Sequence, residues 1–169
     1  MDVTANGAIN ARFGVYAENF GTGSTSVTTV GPVNATSGNG IYASTNGGNV
    51  TVNAGDVTST GNIAIIGQQI NAAGAGNVDL TGDNVSGTIG VLAANSGTGT
   101  TSVTTTGLVT GTAAEGILAY GNDAVTVNVA DAVTGATSGL QAIGGTGGAG
   151  NLSDRKSTRL NSRHRCISY

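Results

Sequence analysis

The chain has 169 residues, of which 30 are Gly, one is Pro, none is Trp and 9% are charged. Glycine at this level excludes a helical domain, because each interior Gly costs a helix about 1 kcal/mol against Ala. Collagen is excluded as well, since Gly does not fall at every third position and Pro is nearly absent. Charge divides the chain unevenly: residues 1–153 hold one base, Arg12, against eight acids, whereas residues 154–169 hold five bases (Arg155, Lys156, Arg159, Arg163 and Arg165) against Asp154.

From the N-terminus onward, the apolar residues recur in a Gly-apolar-apolar-Ala unit. It is met at Gly14-Val15-Tyr16-Ala17, Gly40-Ile41-Tyr42-Ala43, Ala64-Ile65-Ile66-Gly67, Gly90-Val91-Leu92-Ala93, Gly116-Ile117-Leu118-Ala119 and Gly139-Leu140-Gln141-Ala142, at intervals of 26, 24, 26, 26 and 23 residues. Two further short β-branched runs lie in each interval, such as Ser26–Val30 and Pro32–Thr36, nearly copied at Ser102–Thr106 and Leu108–Thr110. Helices of ten or more residues have no room between them. Three strands per repeat, none able to bury its apolar face alone, predict an all-β chain, a right-handed parallel β-helix (three-sided β-solenoid) of about six rungs of about 25 residues. Asn6-Gly7, Asn39-Gly40, Asn46-Gly47 and Gly121-Asn122 are the expected positive-φ corners.

Residues two apart in a strand share a face. Val15, Ile41, Ile65, Val91, Ile117 and Leu140 are therefore expected to stack in one inward column, with Ala17, Ala43, Ala93 and Ala119 beside them. The opposite face presents Tyr16, Tyr42, Ile66, Leu92, Leu118 and Gln141. This column is unusually apolar for an outer surface, and its first five members form a speculative contact stripe. Its alternative role is to be covered by other segments or to support the stacked strands.

The division at Asp154 separates a β-solenoid body, 1–153, from a tail, 154–169. Asp154 to Ser162, DRKSTRLNS, resembles the codon-for-codon translation of a sequencing-library adapter, with His164 also matching, so the tail is expected to be non-native and disordered or poorly packed. It carries the only Cys, Cys166, and the only His, His164. With no Gly turn and no further repeat unit, it is expected to lie off the rod and to add no rung. The body then ends in unpaired strand edges, which predicts self-association or fraying of the isolated solenoid.

GIYASTNGGNVTVNAGDVTSTGN, residues 40–62, and its echoes at 14–39, 64–89, 90–115 and 116–138 resemble the repeats of autotransporter and filamentous-haemagglutinin-type passenger proteins of Gram-negative bacteria. The resemblance spans residues 3–153. It implies export through an outer-membrane barrel, display at the cell surface and, often, adhesion. Residues 1–6 lack the basic and apolar regions of a secretory signal and no translocator barrel follows, which suits an internal fragment of a longer passenger. The expected partners are a host glycan, a matrix protein or neighbouring passenger repeats, with no nucleic acid and no membrane insertion.

An enzyme of this shape, a polysaccharide lyase or hydrolase, is the main alternative. A lyase would need clustered acids and a base to take the proton, and the body offers Arg12 alone. A hydrolase would need two carboxyls at a set separation. Asp79 and Asp83 are the closest pair in sequence, with Asp56 expected one rung away, and all three also suit solvated turns. The glycine run 144–148 lacks the Asp of calcium-binding repeats. No catalytic, metal or cofactor site is therefore expected. Thr28, Thr51, Thr104 and Thr126 suggest a Thr ladder of the kind an ice-binding solenoid uses, although their spacing drifts between repeats.

Overall fold

A computed structural model describes residues 1–145 and 165–168. The strands follow one another in threes, and each three makes one turn. The first turn is β1 (Asp2–Ala5), β2 (Ile9–Ala11) and β3 (Val15–Asn19); the second is β4 (Thr25–Thr29), β5 (Val33–Ala35) and β6 (Ile41–Thr45). The third is β7 (Val50–Ala54), β8 (Val57–Ser59) and β9 (Ile65–Gln69); the fourth is β10 (Val78–Gly82), β11 (Val85–Gly87) and β12 (Val91–Asn95). The fifth is β13 (Thr101–Thr105), β14 (Val109–Gly111) and β15 (Ile117–Gly121); the sixth is β16 (Val125–Val129), β17 (Val133–Gly135) and β18 (Leu140–Gly144). A last strand, β19, covers Arg165–Ser168. No helix occurs among the described residues.

Every third strand pairs in parallel, giving three sheets that run the length of the solenoid. Sheet A takes the first strand of each turn, sheet B the second and sheet C the third. The sequence alignment survives as strand register: Val15, Ile41, Ile65, Val91, Ile117 and Leu140 are successive partners in sheet C. All six are buried, none more than 8% exposed. Sheet A contributes Val3, Val27, Val52, Leu80, Val103 and Val127, and sheet B contributes Ile9, Val33, Val57, Val85, Val109 and Val133. These three columns meet along the axis and form one continuous core. Each buried Val or Ile contributes about 1.5–3 kcal/mol, so core stability accumulates turn by turn.

The Gly that opens most units is explained by crowding. A Cβ at Gly14, Gly40, Gly90 or Gly116 would overlap the main chain of the next turn and a Val side chain of sheet B. Only close approach of the backbone is at issue there, because Gly47, at φ +132°, is the one glycine with positive φ among the described residues. The expected positive-φ corners at Gly7, Gly40 and Gly121 are thus corrected. Gly121 ends β15, and Gly40 is set by its neighbours in space.

The expectation that the tail lies off the rod is also corrected in part. Arg165–Ser168 pairs in parallel with β18, Gln141 opposite Arg165 through Gly144 opposite Ser168. An open strand edge is bound through main-chain N–H and C=O groups, so pairing there requires no repeat motif. Residues 146–164 and Tyr169, including the DRKSTRLNS segment and His164, lie outside the described residues.

Candidate functional site

The residues expected to form a contact stripe stand in a single outward column of sheet C. Tyr16, Tyr42, Ile66, Leu92, Leu118 and Gln141 are successive partners. Exposure varies along it: Tyr16 is 64% exposed, Tyr42, Leu92 and Leu118 are half-buried, and Ile66 is buried. The Tyr16 and Tyr42 rings stack at a centroid distance of 4.6 Å and an interplanar angle of 6°. The two rings therefore spend faces on each other, and the second face of Tyr16 looks along the axis past the first turn.

The neighbouring outward column holds Glu18, Ser44, Gln68, Ala94, Tyr120 and Ile143. It ties down the aromatic pair. Tyr16 Oη donates to Glu18 Oε2 at 2.7 Å, and Gln68 Nε2 donates to Tyr42 Oη at 2.6 Å. The bond to Glu18 is the main reason the Tyr16 phenol is pushed up to about 12; desolvation and the Glu18 charge act in the same direction.

The three acids weighed as catalytic carboxyls serve different places. Asp79 is an outward residue of β10, and its carboxyl is raised by partial burial. Asp83 Oδ1 accepts from Thr106 Oγ1 at 3.0 Å in the following turn. Asp56 does stand one turn before this corner, where its Oδ1 accepts from the Asn84 main-chain N–H at 3.2 Å and from Asn84 Nδ2 at 2.9 Å. Asn84 Oδ1 in turn accepts from the Leu108 N–H at 3.1 Å, so acid and amide are links in one ladder along a corner. Among the described residues no three His, Cys, Asp or Glu side chains are grouped to hold a metal ion.

Sheet A presents a polar face of two outward columns. One holds Asp2, Ser26, Thr51, Asp79, Ser102 and Thr126; the other holds Thr4, Thr28, Asn53, Thr81, Thr104 and Asn128. The drift of Thr along the sequence is thereby resolved. Thr28 and Thr104 stand in one column and Thr51 and Thr126 in the adjacent one, two residues away on the same face.

Sequence reading missed a polar column inside the corner between sheets C and A. Thr45, Gln69 and Asn95 end their strands with the side chain turned inward, each at most 1% exposed, and the partly buried Asn19 holds the same position. The near-identical segments NFGTGSTSVTT, from Asn19, and NSGTGTTSVTT, from Asn95, form the same bonds. Asn19 Oδ1 accepts from the Gly21 N–H, and its Nδ2 donates to the carbonyls of Gly23 and Ser24. Asn95 repeats this with Gly97, Gly99 and Thr100, and adds the Gly76 carbonyl of the turn before at 2.9 Å. The signal was the duplicated Asn-x-Gly-Thr-Gly. Comparison of the chain with protein-family models, curated proteins and solved structures found no match.

Proposed function

We propose that this chain is a non-enzymatic structural or adhesive scaffold, a segment of an autotransporter-type passenger displayed at a bacterial cell surface. The observation that carries the reading is the commitment of side chains to turn-to-turn stacking. Asp56, Asp83 and Asn84 lie in corner ladders, and Glu18 and Gln68 hold the two tyrosines. A surface built this way repeats along its length and offers many equivalent contacts, which suits multivalent attachment to a glycan or matrix protein. The apolar sheet C column is the surface for such contact.

The test pairs turnover with binding. The purified chain, incubated with polyuronates and neutral glycans with and without calcium, is expected to release no new reducing or unsaturated ends. Release that disappears in Asp79→Asn or Asp83→Asn would overturn the scaffold reading in favour of a glycan-cleaving enzyme. Binding of immobilised chain to matrix proteins and glycans should fall when Leu92 and Leu118 are changed to Ser.

The polar face of sheet A favours a second reading, an ice-binding solenoid. Ser, Thr, Asn and Asp fill both outward columns over all six turns, at a spacing of about 4.8 Å between turns and about 6.8 Å between columns. A thermal hysteresis measurement separates the two: a freezing-point gap lost in Thr28→Lys and Thr104→Lys supports ice binding, and no gap removes it.

A further inference from the structure

Three Asn-Gly pairs occur in the chain, at residues 6–7, 39–40 and 46–47. The latter two lie in the second turn, with a turn stacked on either side, and the fold treats their peptide bonds in opposite ways. The bond between Asn39 and Gly40 is held from both sides. The Asn39 carbonyl accepts from the Gly14 N–H of the first turn at 3.0 Å, and the Gly40 N–H donates to the Ile63 carbonyl of the third turn at 3.1 Å. Gly40 is buried, and a Cβ there would overlap Val57 Cγ1 and the Ala64 carbonyl, so no room is left beside its nitrogen.

The bond between Asn46 and Gly47 is held from neither side. It lies in the connection 46–49 from β6 to β7, and neither the Asn46 carbonyl nor the Gly47 N–H has a hydrogen-bond partner among the described residues. Contacts with the adjacent turns flank it instead. The Asn46 N–H donates to the Asn19 carbonyl at 3.0 Å, and the Gly47 carbonyl accepts from the Gly76 N–H at 3.2 Å. Gly47 has φ +132°, and a Cβ there would meet nothing closer than Thr22 Cα at 3.8 Å. The Asn46 amide is tethered by one long bond, from Nδ2 to the Phe20 carbonyl at 3.3 Å. With no side chain on Gly47 to shield its nitrogen, the amide carbon of the preceding residue has an open approach to it.

We propose that Asn46 is a site of spontaneous deamidation selected by the fold, with water as the co-reactant, and that Asn39 is protected from the same reaction. The Gly47 nitrogen attacks Asn46 Cγ as its proton passes to solvent. The N–Cγ bond forms, the Cγ–Nδ2 bond breaks, and Nδ2 takes up a proton and leaves as ammonia. Water then opens the cyclic imide. Opening at Cγ leaves Asp at 46, whereas opening at the main-chain carbonyl leaves an isoaspartyl residue, in which the main chain runs through the side-chain carbon. Either product makes this corner one charge more negative, and the isoaspartyl product also adds a methylene to the connection that carries the Gly47 carbonyl to Gly76. Closing the same ring at Asn39 would require the Gly40 N–H to leave Ile63 and two stacked turns to part around Gly40.

Ageing the full chain in mildly alkaline heavy-oxygen water tests this, followed by chymotryptic digestion in ordinary water and mass spectrometry of the peptides. Cleavage after Tyr42 puts Asn39 and Asn46 on different peptides, and a heavy oxygen is gained only where an imide opened during ageing. In the folded chain Asn46 should convert at least about tenfold faster than Asn39, equivalent to about 1.4 kcal/mol in barrier height. In strong denaturant both are free Asn-Gly pairs, and the two rates should converge. Asn46→Gln, whose longer side chain would have to close a larger ring, should lose the label at 46 and leave Asn39 unchanged. Equal rates at Asn39 and Asn46 in the folded chain overturn the proposal. So does an Asn46 that stays unlabelled in the folded chain while both sites convert in denaturant, since the fold would then protect the two pairs alike.

Discussion

The corner after β9 and the corner after β12 solve one problem with different residues. After β12, Asn95 is turned inward, and its amide organises a five-residue connection, 96–100, through three hydrogen bonds and ties it to the turn before through a fourth, to the Gly76 carbonyl. After β9, Gln69 occupies the equivalent position, is longer by one methylene, and stands over an eight-residue connection, 70–77. Its Nε2 reaches the Asn71 carbonyl at 2.8 Å, but its Oε1 is buried without a partner. Gly74 makes room for it, because a Cβ there would overlap Gln69 Nε2. A short side chain permits a short corner that saturates both ends of the amide; a long one needs more main chain to enclose it and leaves an oxygen unpaired.

Differences continue into the core beside the longer corner. The third unit reads Ala64-Ile65-Ile66-Gly67, with Gly and Ala exchanged relative to its neighbours. Gly67 occupies the column of Ala43 and Ala93, and a Cβ there would overlap Leu80 Cδ2. Leu80 is the one Leu in a column otherwise made of Val. A methyl removed from sheet C is balanced by a methylene added in sheet A, so core volume is kept across columns even where neither column keeps its residue.

The glycine column gives the largest expected loss. Gly90→Ala would drive a Cβ into the Gly116 carbonyl and Val109. Relief requires two stacked turns to separate, so a destabilisation of about 3 kcal/mol or more is expected by urea denaturation. Ala64→Gly in the same column should lose about 1 kcal/mol or less. If both changes prove mild, crowding is not what selects Gly at the unit's first position.

The two corner amides should differ next. Asn95→Ala removes a buried group with four bonds and strands the Gly76 carbonyl of the turn before, for a loss of about 2–3 kcal/mol. Gln69→Ala removes one bond together with an unpaired oxygen and should cost about 1 kcal/mol. Equal losses would contradict the contrast between the corners.

The volume exchange is tested by a double-mutant cycle. Gly67→Ala alone should cost about 1–2 kcal/mol through overpacking against Leu80. Leu80→Val alone should cost about 1 kcal/mol by leaving a cavity. Together they restore the Ala-over-Val pairing of the neighbouring turns and should cost less than either change alone, a coupling that additive behaviour would exclude.

What was legible in the sequence followed from period two and from the repeat. Val15 through Leu140 could be assigned to one inward column because alternation fixes a face, and a repeat that keeps one residue type at one position fixes the register. Corners were less legible, since their residues are chosen by contacts between turns that are about 24 positions apart in sequence. Gly40 and Gly47 both follow Asn, yet only Gly47 has positive φ, while Gly40 faces Ala64 of the next turn. Thr28 and Thr51 read as drift because a connection that changes length by a residue obscures two columns of one face. Asn19 and Asn95 did not stand out, because sequence does not reveal that an Asn is turned inward.

The smallest expected effect separates the aromatic end of sheet C from its aliphatic end. Tyr16 sits in the first turn with its hydroxyl bonded to Glu18, a bond that pushes its phenol up from 10.0 to about 12. A phenol whose folded pKa lies above its unfolded value binds more protons in the folded state than in the unfolded state between those two values. Stability therefore falls as pH rises through this window, and the contribution of Tyr16 is fully present below pH 10 and lost by about pH 12. Tyrosinate absorbance should give the position directly, as the difference between the chain and Tyr16→Phe. Glu18→Ala removes the bond and the neighbouring charge and should move that difference titration back toward 10, while Leu118→Ala, at the other end of the column, should leave it in place. A Tyr16 titration already near 10 in the unaltered chain would show that Glu18 does not hold the ring, leaving stacking on Tyr42 as its one anchor.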